Sequence, residues 1–247
     1  MPEKVVISIK RSNPSANEAP HFVDYEITPD EGMVVLDAVH YIENNIDPTL
    51  AVRWNCKAAR CGSCSAEING LPRLMCKTRI DTMGSRIQIE PMRAYPVVKD
   101  LVTDVSHNWV IAKKIPPFTP KLDLPKPWRM QAIDVTRSKE FRTCIECFLC
   151  QDVCHVIREH ESNYFGPKHM VKVAALDMHP LDSIDRTGLL HTDGGIGFCN
   201  ITKCCQNVCP EGIHITDNAI IPEKERVVNE FYDPIGILVH RMRRRKR

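Results

Sequence analysis

Residues 144–154 read CIECFLCQDVC, four cysteines spaced C-x2-C-x2-C-x3-C. Two further groups appear outward from this stretch. Upstream, Cys56, Cys61 and Cys64 read C-x4-C-x2-C, with Cys76 following at a distance. Downstream, Cys199, Cys204, Cys205 and Cys209 precede Pro210. These three groups hold all 12 cysteines of the 247-residue chain. The opening residues, MPEKVVISIKR, have no apolar h-region and no Arg/Ser-rich amphipathic pattern, so neither a secretion signal nor a transit peptide is expected. Without a secretory context, disulfides account poorly for so many cysteines. Metal ligation accounts for them better.

The spacings narrow the metal. C-x4-C-x2-C with a distant fourth Cys is the spacing of a plant-type [2Fe–2S] site, and C-x2-C-x2-C-x3-C is that of a bacterial [4Fe–4S] site. Structural zinc usually takes two CxxC-type knuckles instead. In two-cluster ferredoxins the fourth Cys of the run ligates the other cluster. Applied here, Cys144, Cys147 and Cys150 pair with Cys209, and Cys154 crosses over to Cys199 and Cys205. The downstream group repeats the upstream one, with Thr202 in the slot of Cys147. Three thiolates suit a [3Fe–4S] cluster. Cys204 is either a small buried hydrophobe or a fourth ligand that makes this site [4Fe–4S]. Several redox centres in a row describe a wire for single electrons. No acid, base or hydride-transfer residue is assigned, so the chain has no catalytic site for carbon chemistry.

The rest of the chain sorts around these groups. Alternating runs at Val5–Ile9 and Phe22–Ile27 predict a hairpin. Val35, Val39, Ile42 and Ile46 recur at helical spacing. Asn69-Gly70 between Ala66–Ile68 and Leu71–Cys76 signals a tight second hairpin, and Arg86–Glu90 gives one more strand. Val98, Leu101, Val105 and Trp109 predict a helix leaving this domain. Residues 113–130 hold five prolines, a composition that stiffens a connector. The expected fold is α+β: an N-terminal β-grasp plant-type ferredoxin domain (1–112), a Pro-rich linker (113–130), a mainly α-helical bacterial dicluster ferredoxin-like domain (131–240) and a basic tail (241–247).

Charge is uneven. The formal net charge is +2, yet RMRRRKR at 241–247 is strongly basic, which leaves an acidic body. Such a tail suits anionic lipid. The body has no basic bias and the tail no interleaved aromatics, so nucleic acid is not an expected partner. No stretch of about 18 apolar residues occurs, so the chain is not expected to span a membrane itself. With the positive-inside rule, the tail favours a cytoplasmic face.

The order and spacing of these cysteines, with PVVKDLV at 96–102 and CIECFLCQDVC, closely resemble the iron–sulfur subunit of succinate dehydrogenase and fumarate reductase. The resemblance implies [2Fe–2S] on Cys56, Cys61, Cys64 and Cys76, [4Fe–4S] on Cys144, Cys147, Cys150 and Cys209, and [3Fe–4S] on Cys154, Cys199 and Cys205. It implies a flavoprotein partner with FAD, electron passage to a quinone at a membrane anchor subunit, possible haem b on that anchor, and a prokaryotic plasma membrane as the location. The chain departs from the family at four places. His155 stands for the usual Pro, Val156–His160 for a tryptophan-bearing stretch, Asn200 for a His, and Ala59 for a Gly. His155, Arg158 or His160 are candidates for the quinone vicinity, since imidazole suits proton delivery near neutral pH. Competing readings are a fumarate reductase running in reverse, or a thiol:fumarate or heterodisulfide-type reductase with a [4Fe–4S] third cluster.

Overall fold

A computed structural model describes residues 4–160, 163–234 and 236–237, the side chain of His160 excepted. The basic tail therefore lies outside the described residues. The described chain forms two units. Of the described residues, the first combines 4–107, 145–153 and 208–211; the second combines 108–144, 154–160, 163–207, 212–234 and 236–237.

The first unit is built on a five-stranded sheet in the order β2-β1-β5-β3-β4, with β1 Val5–Asn13, β2 Glu18–Ile27, β3 Ser65–Ile68, β4 Leu71–Leu74 and β5 Arg86–Glu90. β1 pairs antiparallel with β2, setting Val5 opposite Ile27 and Ile7 opposite Tyr25. On its other side β1 runs parallel to β5, Ile7 opposite Ile87. A parallel neighbour requires a crossover, and helix α1, Val35–Asn45, lies in that connection. Asp37 sits in its first turn and accepts the Val34 N–H at 3.3 Å, where a negative charge suits the helix dipole. α1 buries Val35, Leu36, Ala38, Val39 and Ile42, and the sheet buries Ile7, Ile9, Ile68, Ile87 and Ile89, all in one core. Each of the Val, Leu and Ile side chains contributes about 1.5–3 kcal/mol on burial. The β3–β4 hairpin turns on Asn69 and Gly70, both at positive φ (50° and 76°), as a type I′ turn requires.

The helix expected over Val98–Trp109 is a correction. The chain instead forms β6, Val97–Lys99, and β7, Val102–Thr103, before helix α2, His107–Lys114. Asp100 takes φ 47° between the strands. Its buried carboxylate accepts the N–H groups of Ser12 at 3.0 Å and Ala51 at 2.9 Å and lies 3.0 Å from the Arg11 guanidinium. Those long-range bonds fix a turn where the apolar spacing alone favoured a helix.

In the second unit, residues 116–130 form no helix or strand beyond one bridge from Pro120 to Asp182. α3, Ala132–Arg142, packs on α6, Pro167–Asp177, and α6 packs on a wide helical turn at Ile215–Ile220. Between α3 and α6 in the chain lie the short α4, Leu149–Asp152 (a first-unit element), and α5, His155–His160. α7, Thr187–His191, and α8, Cys204–Asn207, lead to α9, Ile221–Phe231, on which α7 packs. Gly166 at φ 84° precedes Pro167 at the start of α6, the position where a missing N–H costs nothing. Pro222 near the start of α9 cannot donate to the ladder, and the preceding turn is correspondingly widened to a π-type turn.

Candidate iron–sulfur sites

The loop from Cys56 to Cys64 folds around its sulfurs. Lys57, Ala59 and Gly62 have φ of 53°, 53° and 67°. Alternating left-handed residues turn successive N–H groups to one side, forming an anion-binding concavity of the kind used at iron–sulfur sites. Here the N–H groups of Ala58 and Arg60 reach Cys56 Sγ at 3.4 and 3.3 Å, and those of Cys56 and Ser63 reach Cys61 Sγ at 3.5 Å each. Ala59 holds the left-handed conformation although it has a Cβ, a conformation that glycine adopts at lower cost. Burial opposes ionisation of Cys61, but bonds from Ser63 and Cys56 outweigh it and bring the thiol down to about 7. Burial, with Cys76 alongside, pushes Cys64 up to about 12. The chain thus places two half-buried sulfurs that accept backbone N–H groups, Cys56 and Cys61, in one loop with the buried Cys64.

The other cysteine runs repeat this backbone. Glu146 and Phe148 have φ of 55° and 62°, and Ile201 and Lys203 have 62° and 61°. These are equivalent positions of the internal repeat, with Thr202 matching Cys147. Of the ten non-glycine residues at positive φ among the described residues, six lie in the three cysteine loops. A left-handed Ile or Phe is costly. That it recurs in register argues for a common anionic guest. Sequence reasoning missed all of these but Ala59, because none is Gly, Asn or Asp.

Cys154, Cys199, Cys204 and Cys205 belong to the second unit. Cys154 and Cys205 are buried; Cys199 is half-buried. Burial raises the Cys154 thiol, against bonds from the Ile157 and Val156 amides. Cys205 Sγ lies 3.4 Å from Thr216 Oγ1, and Lys224 Nζ donates to the Cys199 carbonyl at 2.5 Å. Tyr164, 1% exposed, places a hydroxyl with no well-formed hydrogen bond beside the sulfurs of Cys199, Cys154 and Cys205. Burial and those sulfurs hold its proton on well above the ordinary phenol range. Nothing in the sequence flags Tyr164 or Lys224, since both come from outside the cysteine motifs. Cys204 is not the buried hydrophobe that the sequence suggested. It is half-buried, and bonds from Cys205, Thr202 and His155 outweigh burial to bring its thiol down to about 5. Among the described residues, no three His, Cys, Asp or Glu side chains close on a single ion; in a cluster the thiolates bind different irons and stand farther apart.

Residues 6–110 match the family described as a 2Fe-2S iron-sulfur cluster binding domain, and residues 140–213 match a 4Fe-4S dicluster domain. The chain is 31% identical over 220 residues to a fumarate reductase iron-sulfur subunit of Mycobacterium tuberculosis, covering 86% of this chain and 89% of that one. The chain belongs to the iron–sulfur subunits of succinate dehydrogenase and fumarate reductase. The succinate dehydrogenase iron-sulfur subunit of Bacillus subtilis is 28% identical over 95% of this iron–sulfur subunit. A chain of the Mycobacterium smegmatis Sdh1 complex in the apo form superposes with a TM-score of 0.90 at 52% identity, covering 94% of this subunit and 98% of that chain.

The family carries [2Fe–2S] and [4Fe–4S] binding domains in an oxidoreductase complex, and this subunit has both, in the α+β arrangement its sequence predicts. Of the residues named for a quinone, His155 and Arg158 are half-buried. Asn200 Nδ2 and His155 Nε2 lie 2.8 Å apart. The side chain of His160 lies outside the described residues. No helix among the described residues is long and apolar enough to cross a membrane.

Proposed function

We propose that this subunit carries electrons in a succinate:quinone oxidoreductase, from a flavoprotein's FAD toward a quinone at a membrane anchor that carries haem b in some forms. The observation that carries the reading is the left-handed backbone repeated in all three cysteine loops, which in the first loop turns N–H donors toward the sulfurs of Cys56 and Cys61 and favours the thiolate. Cys56, Cys61, Cys64 and Cys76 would hold [2Fe–2S]; Cys144, Cys147, Cys150 and Cys209 would hold [4Fe–4S]; Cys154, Cys199 and Cys205 would hold [3Fe–4S]. When bound, these clusters take up and release single electrons at potentials set partly by hydrogen bonds to sulfur. The chain's own residues supply the donors and the burial. The succinate direction is supported by the 52% identity to the Sdh1 complex chain.

His155 is the favoured quinone-side residue. Two of the four departures from the family pattern, His155 and Asn200, meet each other. The imidazole that relatives place after Cys199 is here offered from position 155, where it suits proton delivery to a reduced quinone. His155→Ala should slow quinone reduction while leaving succinate oxidation with an artificial acceptor intact; equal rates in both assays would sink this role. The basic tail at 241–247 would add contact with anionic lipid on the cytoplasmic face.

A second reading gives the third site a fourth ligand. It is favoured by Cys204, whose half-buried thiol is held down to about 5 next to Cys205. Low-temperature EPR of the air-oxidised complex separates the two. A signal in the oxidised state that vanishes on mild reduction supports [3Fe–4S]. No oxidised signal, with two interacting [4Fe–4S] signals on strong reduction, assigns Cys204 as ligand and favours an atypical reductase.

A further inference from the structure

Among the glycines of the first unit, the tightest approach joins two cysteine loops far apart in sequence. Gly62 lies between Cys61 and Cys64. A Cβ at position 62 would stand 2.4 Å from Cys147 Cα, 2.7 Å from Cys147 Cβ and 2.9 Å from Cys147 N. No side chain fits there, and Gly62 also needs its φ of 67°. Three residues on, the Ser65 hydroxyl is buried, 2.8 Å from the Gly62 carbonyl and 2.9 Å from the Cys147 carbonyl. One hydroxyl proton between two carbonyls makes a forked clamp. The same core encloses Cys64, Cys147 and Leu149. A second anchor holds this segment: Asp152 accepts the Ala94 N–H at 2.9 Å.

We propose that Gly62 and Ser65 are positioning residues that hold the sulfurs of Cys61 and Cys64 at a fixed separation from that of Cys147, and so set the distance between the [2Fe–2S] and [4Fe–4S] sites. The inference rests on the ligand assignment proposed above. In outer-sphere transfer one electron moves, no bond forms or breaks, and no proton shifts. The protein can therefore tune the step between two sites only through distance, medium and potential. Distance is the steepest of these, because electronic coupling decays exponentially with separation. A bare Cα in van der Waals contact with Cys147 is the shortest spacing a polypeptide offers. The Ser65 clamp keeps thermal opening from lengthening it.

The test compares the intact complex with Ser65→Ala, Gly62→Ala and a control, Gly84→Ala. Gly84 also has positive φ (84°) but open space around its Cβ position, so it separates backbone strain from contact with Cys147. Three quantities are measured: iron and sulfide per chain, power saturation of the [2Fe–2S] EPR signal with the neighbouring centre oxidised and reduced, and amide exchange across Leu149–Asp152. Ser65→Ala should keep full iron and sulfide, lose part of the relaxation enhancement from the reduced neighbour, and exchange those amides about three- to tenfold faster, as for one lost hydrogen bond. Gly62→Ala should show the larger effect, and Gly84→Ala the wild-type values. Wild-type relaxation and exchange in both Ser65→Ala and Gly62→Ala would overturn this inference alone, as would Gly84→Ala matching Gly62→Ala. A wild-type complex lacking either signal would overturn the ligand assignment and this inference with it.

Discussion

The ammonium of Lys77 donates to the carbonyl of Pro210 at 2.9 Å, tying the residue after Cys76 to the residue after Cys209. It spans 133 positions of sequence within one unit. The bond is exposed, so its worth is limited by solvent. Lys77→Met should lower the stability of the first unit by about 0.5–1 kcal/mol, read by chemical denaturation. Lys4→Met, which removes an exposed pair with Glu26, should change nothing measurable. Equal effects would mean that the Pro210 bond has no special role.

Ser63 controls the chemistry of Cys61. Its side chain and its N–H both favour the thiolate. In the cluster-free chain, Ser63→Ala should move the Cys61 thiol upward from about 7. Alkylation of Cys61 near neutral pH should slow, with the midpoint of its pH profile shifted to higher pH. An unchanged profile would assign the lowering to the backbone donors alone.

Arg186 is fully buried and all five of its guanidinium donors are used. Nε meets the Pro116 carbonyl, Nη1 meets Asp177 and the Ile184 carbonyl, and Nη2 meets the Pro117 carbonyl and Asp182. Removing one partner of a buried pair leaves charge uncompensated, at about 3–5 kcal/mol. Arg186→Ala should destabilise the second unit by that order in equilibrium unfolding. Arg186→Lys should recover little, because an ammonium lacks the planar fork.

Glu223 predicts a pH dependence. Burial raises its carboxyl to about 7, more than the nearby Arg226 lowers it, with Asp177 adding to the rise. The unfolded value is 4.5. Between about 4.5 and about 7 the folded chain therefore binds more protons than the unfolded one, so stability falls as pH rises through this window. Glu223→Gln should flatten that slope. Thermal unfolding from pH 4.5 to 7.5 checks it, and a slope of equal size in the variant would assign the dependence to another group.

The cysteine spacings made the chemistry readable because each motif is short and local: C-x4-C-x2-C and C-x2-C-x2-C-x3-C need no tertiary knowledge to interpret. The β-grasp strands were readable too, since Val5–Ile9 and Arg86–Glu90 alternate and Asn69-Gly70 dictates its own turn. The segment at Val98–Trp109 was not. Its helical spacing is real, but Asp100 bonds to Ser12 and Ala51 and overrides it. Cys204 likewise read as either a buried hydrophobe or a fourth ligand, because a thiol's exposure and its donors Cys205 and His155 depend on neighbours distant in sequence or on backbone conformation.

By itself, then, the sequence determined the class of cofactor, the family and the α+β order, all of which follow from residue identity at fixed local spacing. Tertiary structure alone decided that Glu146, Phe148, Ile201 and Lys203 adopt left-handed backbone, that Ser65 clamps Cys147 and that Tyr164 faces three sulfurs. These features run against local preference or link distant segments, and only the packed chain, with each buried donor seeking an acceptor, selects them.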